Sequence, residues 1–122
     1  MSDELTRIKQ LRDEVRNFVD ERDWNKYHHP KELAISIVIE AAELLEMFQW
    51  DEKVDIQDIK DDEKTMGKIK EEVADVMTYI LCLANQLDLD LSEVVLAKLE
   101  KNRAKYDKNT VLETGAYRKD KL

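Results

Sequence analysis

Two glycines and one proline in 122 residues leave this chain almost without the residues that make tight turns. Average usage of the pair is about 12%, and sandwiches or barrels need turn chemistry roughly every 8–12 positions. So few breakers predict an all-α protein. Apolar residues make up 43% of the chain and charged residues 39%, which suits a globular domain with a polar surface rather than a disordered segment. A chain of this length is one domain's worth and buries roughly two-thirds of its surface on folding. Twenty-eight acids against twenty bases give a formal charge of −8. That balance argues against nucleic acid or an anionic membrane as partner, because both need clustered Lys and Arg. It still admits a polyphosphate ligand if cations bridge the two.

Hydrophobic periodicity divides the chain into four helices. The first, capped by Ser2 or Asp3, carries Leu5, Ile8, Leu11, Val15, Phe18 and Val19 at helical spacing and fades near Arg22–Trp24. A structured loop leads to His29 and Pro30, and Pro30 suits the first turn of a second helix. That helix has a broad stripe from Leu33 to Trp50, through Ile37, Val38, Ala41, Leu44, Leu45 and Phe48. Residues 51–62, with Val54, Ile56 and Ile59, read as a loop or a short irregular helix. A third helix runs from about Asp62 to Leu87, with Ile69, Val73, Val76, Met77, Ile80, Leu81 and Ala84 inside. After a turn at 88–91, Ser92 starts a fourth carrying Val94, Val95, Leu99 and Tyr106. The expected organisation is a helical domain over 1–107 and a polar tail over 108–122. Four such helices predict a four-helix bundle. The apolar arcs of the second and third are wider than one neighbour needs, which predicts burial in an oligomer. Cys82, alone and set in an apolar run, reads as core filler in a reducing compartment. With no apolar leader and no apolar run of about 18 residues, the expectation is a soluble, cytoplasmic protein.

Position makes the acids informative. Glu40, Glu43 and Glu46 on the second helix are three apart, and Glu72 and Asp75 on the third repeat that spacing beside Glu71. A three-residue step turns a helix only about 60° backward, so each set shares a stripe. Glu40 and Glu43 sit in Ile-Val-Ile-Glu-Ala-Ala-Glu-Leu-Leu and Asp75 in Val-Ala-Asp-Val-Met, bordering apolar surface where an unpaired charge is costly. No Lys or Arg lies between Glu32 and Lys53, so the second helix cannot neutralise its own acids. A hard divalent cation held by oxygens from both helices would resolve the conflict. Mg²⁺ fits, since it takes carboxylates, waters and substrate phosphates together. Chance i,i+3 acid pairs are common in so acidic a chain, and most are solvated faces; two pairs on different helices, each walled by apolar residues, favour the metal. A di-iron centre would want Glu-x-x-His on two helices, whereas His28 and His29 both precede the second helix.

Glu40-x-x-Glu43 followed by Glu72-x-x-Asp75 resembles the signature of the MazG-like all-α nucleotide pyrophosphohydrolases. Residues 22–30 (Arg-Asp-Trp-Asn-Lys-Tyr-His-His-Pro), 40–50 (ending Phe-Gln-Trp), 71–79 and 98–106 (Lys-Leu-Glu-Lys-Asn-Arg-Ala-Lys-Tyr) follow in the order seen in the dCTP pyrophosphatase branch. The resemblance spans about 5–107 and implies Mg²⁺-dependent hydrolysis of a nucleoside triphosphate, such as dCTP, to monophosphate and pyrophosphate. It implies metal ligands at Glu40, Glu43, Glu72 and Asp75, phosphate contacts from Lys98 and Arg103, and nucleotide contacts from Asn102 and Tyr106. Trp24, Trp50 and Tyr79 would wall the base and sugar, with His28 close by. Glu43 and Glu46 are candidates for taking the attacking water's proton. The family commonly forms dimers and dimer-of-dimers tetramers. Plainer roles exist: Trp50 as a hydrophobic cap, Tyr79 as packing, His28 as a loop residue, Asn102 and Arg103 as a solvated helix end. The competing function is a non-catalytic acidic helical module that assembles through the second and third helices. It explains the apolar excess but leaves the inward acids without a purpose.

Overall fold

Pro30 and a series of aspartates set the helix boundaries in the computed structural model, which describes residues 1–50 and 55–115. Among these residues are six α-helices and no strand: α1 (Ile8–Glu21), α2 (Pro30–Glu46), α3 (Ile56–Asp61), α4 (Glu63–Leu87), α5 (Leu91–Lys105) and α6 (Lys108–Thr114). A single 3₁₀ turn occupies Asn25–Tyr27. The all-α expectation holds. Pro30 is the first residue of α2, and His29 before it is extended, its Nδ1 accepting from the Lys31 backbone N–H. Asp55, Asp62, Asp90 and Asp107 each cap a helix by accepting backbone N–H bonds in its first turn.

Several boundaries differ from the sequence reading. The first helix begins at Ile8, not at Ser2 or Asp3. Ser2 O instead accepts from Leu5 N and Thr6 N in a turn ahead of the helix, and Leu5 is left exposed. α2 ends at Glu46, and Met47 and Phe48 close it with i→i+3 bonds to Leu44 and Leu45, so Trp50 lies beyond the helix. Residues 56–61 are helical, while Val54 lies outside the described residues. Asp90, not Ser92, caps α5, accepting from Glu93 N at 2.9 Å. The polar stretch from 108 opens with α6, closed by Gly115 at φ 69°.

Two helices stop on an aspartate in the left-handed region, where glycine is the usual signal. Asp23 (φ 54°) ends α1, with Asp23 N bonded to Asp20 O at 3.0 Å and Trp24 N to Val19 O at 3.1 Å. This is the Schellman pattern, and its accompanying apolar contact is present: the Trp24 ring meets Phe18 edge-on at 5.7 Å. Asp88 (φ 52°) ends α4 in the same way, with Leu89 N bonded to Ala84 O at 2.9 Å.

The chain divides into two compact units, Met1–Leu89 and Asp90–Leu122. In the first, α4 is the spine on which α2, α1 and α3 pack, α2 most extensively. Val19, Leu33 and Cys82 form the buried core, with Val15, Tyr79 and Leu83 packed against it. Cys82 is thus the core filler its apolar setting predicts. A polar clamp ties α1 to α4: Arg12 Nε and Arg16 Nη2 both donate to Asn85 Oδ1 at 3.1 Å, and Asn85 Nδ2 donates to Arg12 O at 2.9 Å. Gln86 Nε2 reaches His28 O at 2.8 Å and fixes the loop after α1. α2 keeps a second apolar face, Ile35, Val38, Ile39 and Leu45, open to solvent, as its wide apolar arc foretold. In the second unit Asn102, Tyr106 and Val111 are half-buried, while Val94, Val95, Leu96 and Leu99 are exposed. No helix among the described residues is long and apolar enough to cross a membrane.

Candidate functional site

Leu33 at the start of α2 shares a core with Cys82 near the end of α4, whereas Glu40 and Glu43 further along α2 meet Glu72 near the middle of α4. The two helices therefore run antiparallel. The acids lie two to three turns, about 15 Å, from the apolar contact that holds the pair together. One carboxylate oxygen each from Glu40, Glu43 and Glu72 falls within 4.8 Å of the others. Oε2 of Glu40 and Oε2 of Glu72 are shielded from solvent and accept no hydrogen bond among the described residues. Buried polar atoms are normally satisfied, so these two orphaned oxygens mark a place where a donor or cation belongs.

The electrostatics agree. Glu40 is pushed up to about 7, first by loss of hydration and then by the neighbouring Glu43, Asp75 and Glu72 carboxylates. Glu72 is raised for the same reasons, with Glu71 adding to the repulsion. Like charges gathered in partial burial hold protons that isolated carboxylates would release. Three hard oxygen donors from two rigid helices, with no nitrogen or sulfur among them, suit Mg²⁺ or a similar cation.

Asp75 stands apart from that group of ligand atoms. Its charge reaches Glu40 and Glu72, but its side chain lines a cavity of about 520 Å³ between α1 and α4 together with Glu14, Val15, Phe18, Thr78 and Tyr79. Tyr79, expected beside the base, is in that wall. Trp24 reaches the same region only indirectly, through its contact with Phe18. His28 lines a different, polar cavity of about 290 Å³ with Arg16, Asp20, Asn25 and Gln86, and burial lowers its pKa. Glu46 is exposed and lies outside the acidic group, and Trp50 is 86% exposed past the end of α2. Lys98, Asn102 and Arg103 fall on α5 and Tyr106 caps its C-terminus, all in the second unit, where Arg103 pairs with Glu100. Sequence reasoning missed Phe18 and Glu14 as cavity residues. Their i,i+4 spacing is the available signal, but the sequence reading takes Phe18 into the core stripe of the first helix and makes no use of Glu14.

The profile of the MazG-like family matches residues 35–119. Similar curated proteins are dCTP pyrophosphatase 1 of Mus musculus, 35% identical over 89 residues, and of Bos taurus, 37% identical over 91 residues. Each alignment covers 73% of this chain, and the chain spans about half the length of these relatives, 52% and 53%. Among solved structures, a pyrophosphatase from Archaeoglobus fulgidus DSM 4304 superposes with a TM-score of 0.76 at 42% identity. That match covers 88% of this chain and 99% of the other.

Proposed function

The chain belongs to the MazG-like family, and we propose that it is a nucleoside triphosphate pyrophosphohydrolase acting on dCTP or a related pyrimidine deoxynucleotide in the cytoplasmic nucleotide pool. The observation that carries this reading is the trio Glu40, Glu43 and Glu72, drawn together across α2 and α4 with two shielded oxygens left unpartnered. A purely structural role would not gather repelling carboxylates where burial makes them costly. The similarity to proteins named dCTP pyrophosphatase 1 and to a solved pyrophosphatase supports the reaction class, and the dCTP in the name of the former is the basis for the substrate named here.

Glu40, Glu43 and Glu72 would hold a divalent cation, with Asp75 adding charge from the cavity wall. Bound there, Mg²⁺ supplies neutralisation of the phosphate oxygens and acidification of a water. The protein's own contribution is positional. Rigid helices fix the acids, and apolar neighbours thin the water around them. Glu43, inside the cluster, or Glu46, exposed at the end of α2, accepts the proton of the attacking water. Lys98 and Arg103 are assigned to the phosphates, and Asn102 and Tyr106 to the nucleotide, by resemblance. Without a cation the acids repel a triphosphate, so the metal-free protein should bind substrate poorly. The open Ile35, Val38, Ile39 and Leu45 face of α2 supports a homo-oligomer in which a second copy covers it.

The test is pyrophosphate release from a panel of dNTPs with Mg²⁺ and with chelator. Turnover that is greatest on dCTP and vanishes with chelator supports the reading. Absence of turnover on every dNTP at micromolar enzyme would overturn it in favour of the acidic helical module. Sedimentation equilibrium tests the oligomer, which a Val38→Asp substitution on the open face should dissociate.

A further inference from the structure

Helix α1 rests on α4 along a narrow apolar line. The residues of α1 that join the core are Val15 and Val19, packed there with Cys82 of α4. Glu14 and Phe18 lie about 100° round the helix from that line, and Arg12 and Arg16 lie about 60° round it in the other sense. Each pair meets a different stretch of α4. Glu14 and Phe18 share a cavity wall with Asp75, Thr78 and Tyr79, while Arg12 and Arg16 reach Asn85. α1 therefore lies across α4, with one flank on either side of Cys82. Both flanks adjoin open space, the cavity of about 520 Å³ on the first and the polar cavity of about 290 Å³ on the second. Two valines in line resist lifting of the helix but offer little against a roll about that line. The restraint on roll is polar, and it sits at Asn85.

Asn85 Oδ1 accepts from Arg12 Nε and Arg16 Nη2, each at 3.1 Å, and Asn85 Nδ2 donates to Arg12 O at 2.9 Å. Arg12 Nη2 also reaches Ala84 O at 3.4 Å. Among the described residues neither guanidinium is ion-paired, so one amide anchors both. We propose that Asn85 is a positioning residue for the reaction: by holding Arg12 and Arg16 on one flank of α1, it sets how closely the opposite flank stands over Asp75 and Tyr79. Asn85 is ten residues along α4 from Asp75, about 15 Å. It lines neither the acidic centre nor the cavity beside it. Its influence passes through the roll of α1. The effect on turnover rests on the pyrophosphohydrolase reading and adds a distant determinant to it, whereas the roll itself does not depend on that reading. Cys82 supplies a built-in reporter. It is 4% exposed at the line of contact, and burial raises its thiol pKa. The thiol should therefore react slowly while α1 is held and faster once it is released.

The experiment compares the full wild-type chain with Asn85→Leu and Asn85→Asp. Leucine keeps the volume of asparagine and removes its three hydrogen bonds, whereas aspartate keeps the acceptor and adds charge to it. Cys82 is titrated with a chromogenic aromatic disulfide in the absence of denaturant and metal. Asn85→Leu should speed that reaction about tenfold or more, and by more than the loss of global stability read from urea denaturation can supply. Asn85→Asp should keep the wild-type rate. On dCTP with Mg²⁺, Asn85→Leu should raise KM about fivefold or more with kcat within about threefold, and Asn85→Asp should keep the wild-type KM. The Mg²⁺ concentration at half-maximal rate should not move, because the clamp does not touch Glu40, Glu43 or Glu72. An unchanged thiol rate, a rise no greater than global unfolding allows, or an unchanged KM overturns the proposal and leaves the pyrophosphohydrolase reading standing. A wild type inactive on every dNTP removes that reading, and the thiol rates then decide the clamp alone. If Asn85→Leu loses its helical circular dichroism, Arg16→Ala, at an exposed position, takes its place under the same criteria.

Discussion

Replacing Glu40 by glutamine should stabilise the metal-free protein at about pH 8 and leave it unchanged near pH 4.5. Glu40 is displaced from 4.5 to about 7 by lost hydration and by the facing Glu43, Asp75 and Glu72 carboxylates. Between those values the folded chain holds a proton that the unfolded chain has released, so stability falls as pH rises through the window. Above about 7 the whole penalty is present; below 4.5 there is none. At 1.36 kcal/mol per pH unit the displacement sets a ceiling of about 3 kcal/mol. The carboxylate is only partly withdrawn from water, and screening brings the expected gain to about 1 kcal/mol. Glutamine keeps the shape and cannot ionise. Urea denaturation followed by helical circular dichroism, with chelator present, should show a midpoint raised by about 0.5–1 M at the higher pH. Saturating Mg²⁺ should stabilise wild type at that pH by mass action and stabilise Glu40→Gln less. Equal midpoints at pH 8, or the same gain at both pH values, would refute the claim that repulsion is stored at this site.

Other outcomes follow from the same geometry. Glu43→Gln should cut Mg²⁺-dependent pyrophosphate release from dCTP at least about a hundredfold while leaving the helical spectrum intact, since the group meets its neighbours at the acidic centre and not in the core. Leu33→Ala, at a position 1% exposed, should cost about 2–5 kcal/mol in urea denaturation and leave KM unchanged for the folded fraction. Because Leu33 lies about two turns from Glu40, the double variant Leu33→Ala/Glu40→Gln should be additive to within about 0.5 kcal/mol. Trp50→Ala should leave the urea midpoint unmoved, as the ring is exposed, and should raise KM more than it lowers kcat if the ring stacks on the base.

The parts of the fold that the sequence announced are those written in local chemistry. Pro30 after an extended His29, Asp62 before Thr65 and the scarcity of turn residues each act within a few positions, and each gave a helix or a boundary. The acids were legible for the same reason: a three-residue step puts Glu40 and Glu43 on one stripe whatever the tertiary structure. Asp23 and Asp88 were not legible as helix stops, because the left-handed conformation there is held by the 6→1 bonds to Val19 and Ala84 and no glycine announces it. Leu5 and Trp50 fit the apolar period, yet α1 starts after one and α2 stops before the other. Periodicity says which residues share a face and does not say whether anything covers it.

That last distinction governs the site as well. Phe18 has the same helical phase as its core neighbours to within a residue, so pattern alone enrols it in the interior. Its place in a cavity wall depends on the stop at Asp23, which turns Trp24 back against it, and on the rotation of α1 over α4 that the Arg12–Asn85–Arg16 clamp fixes. Asp75 shows the converse. Its spacing from Glu72 predicts a fourth member of the acidic trio, but a step of three residues also swings a side chain toward a neighbouring groove. Here α1 supplies a groove with Glu14 and Phe18 on its far side. Asp75 therefore lies where the acidic centre and the cavity adjoin, its charge felt by Glu40 and Glu72 and its side chain in the cavity wall.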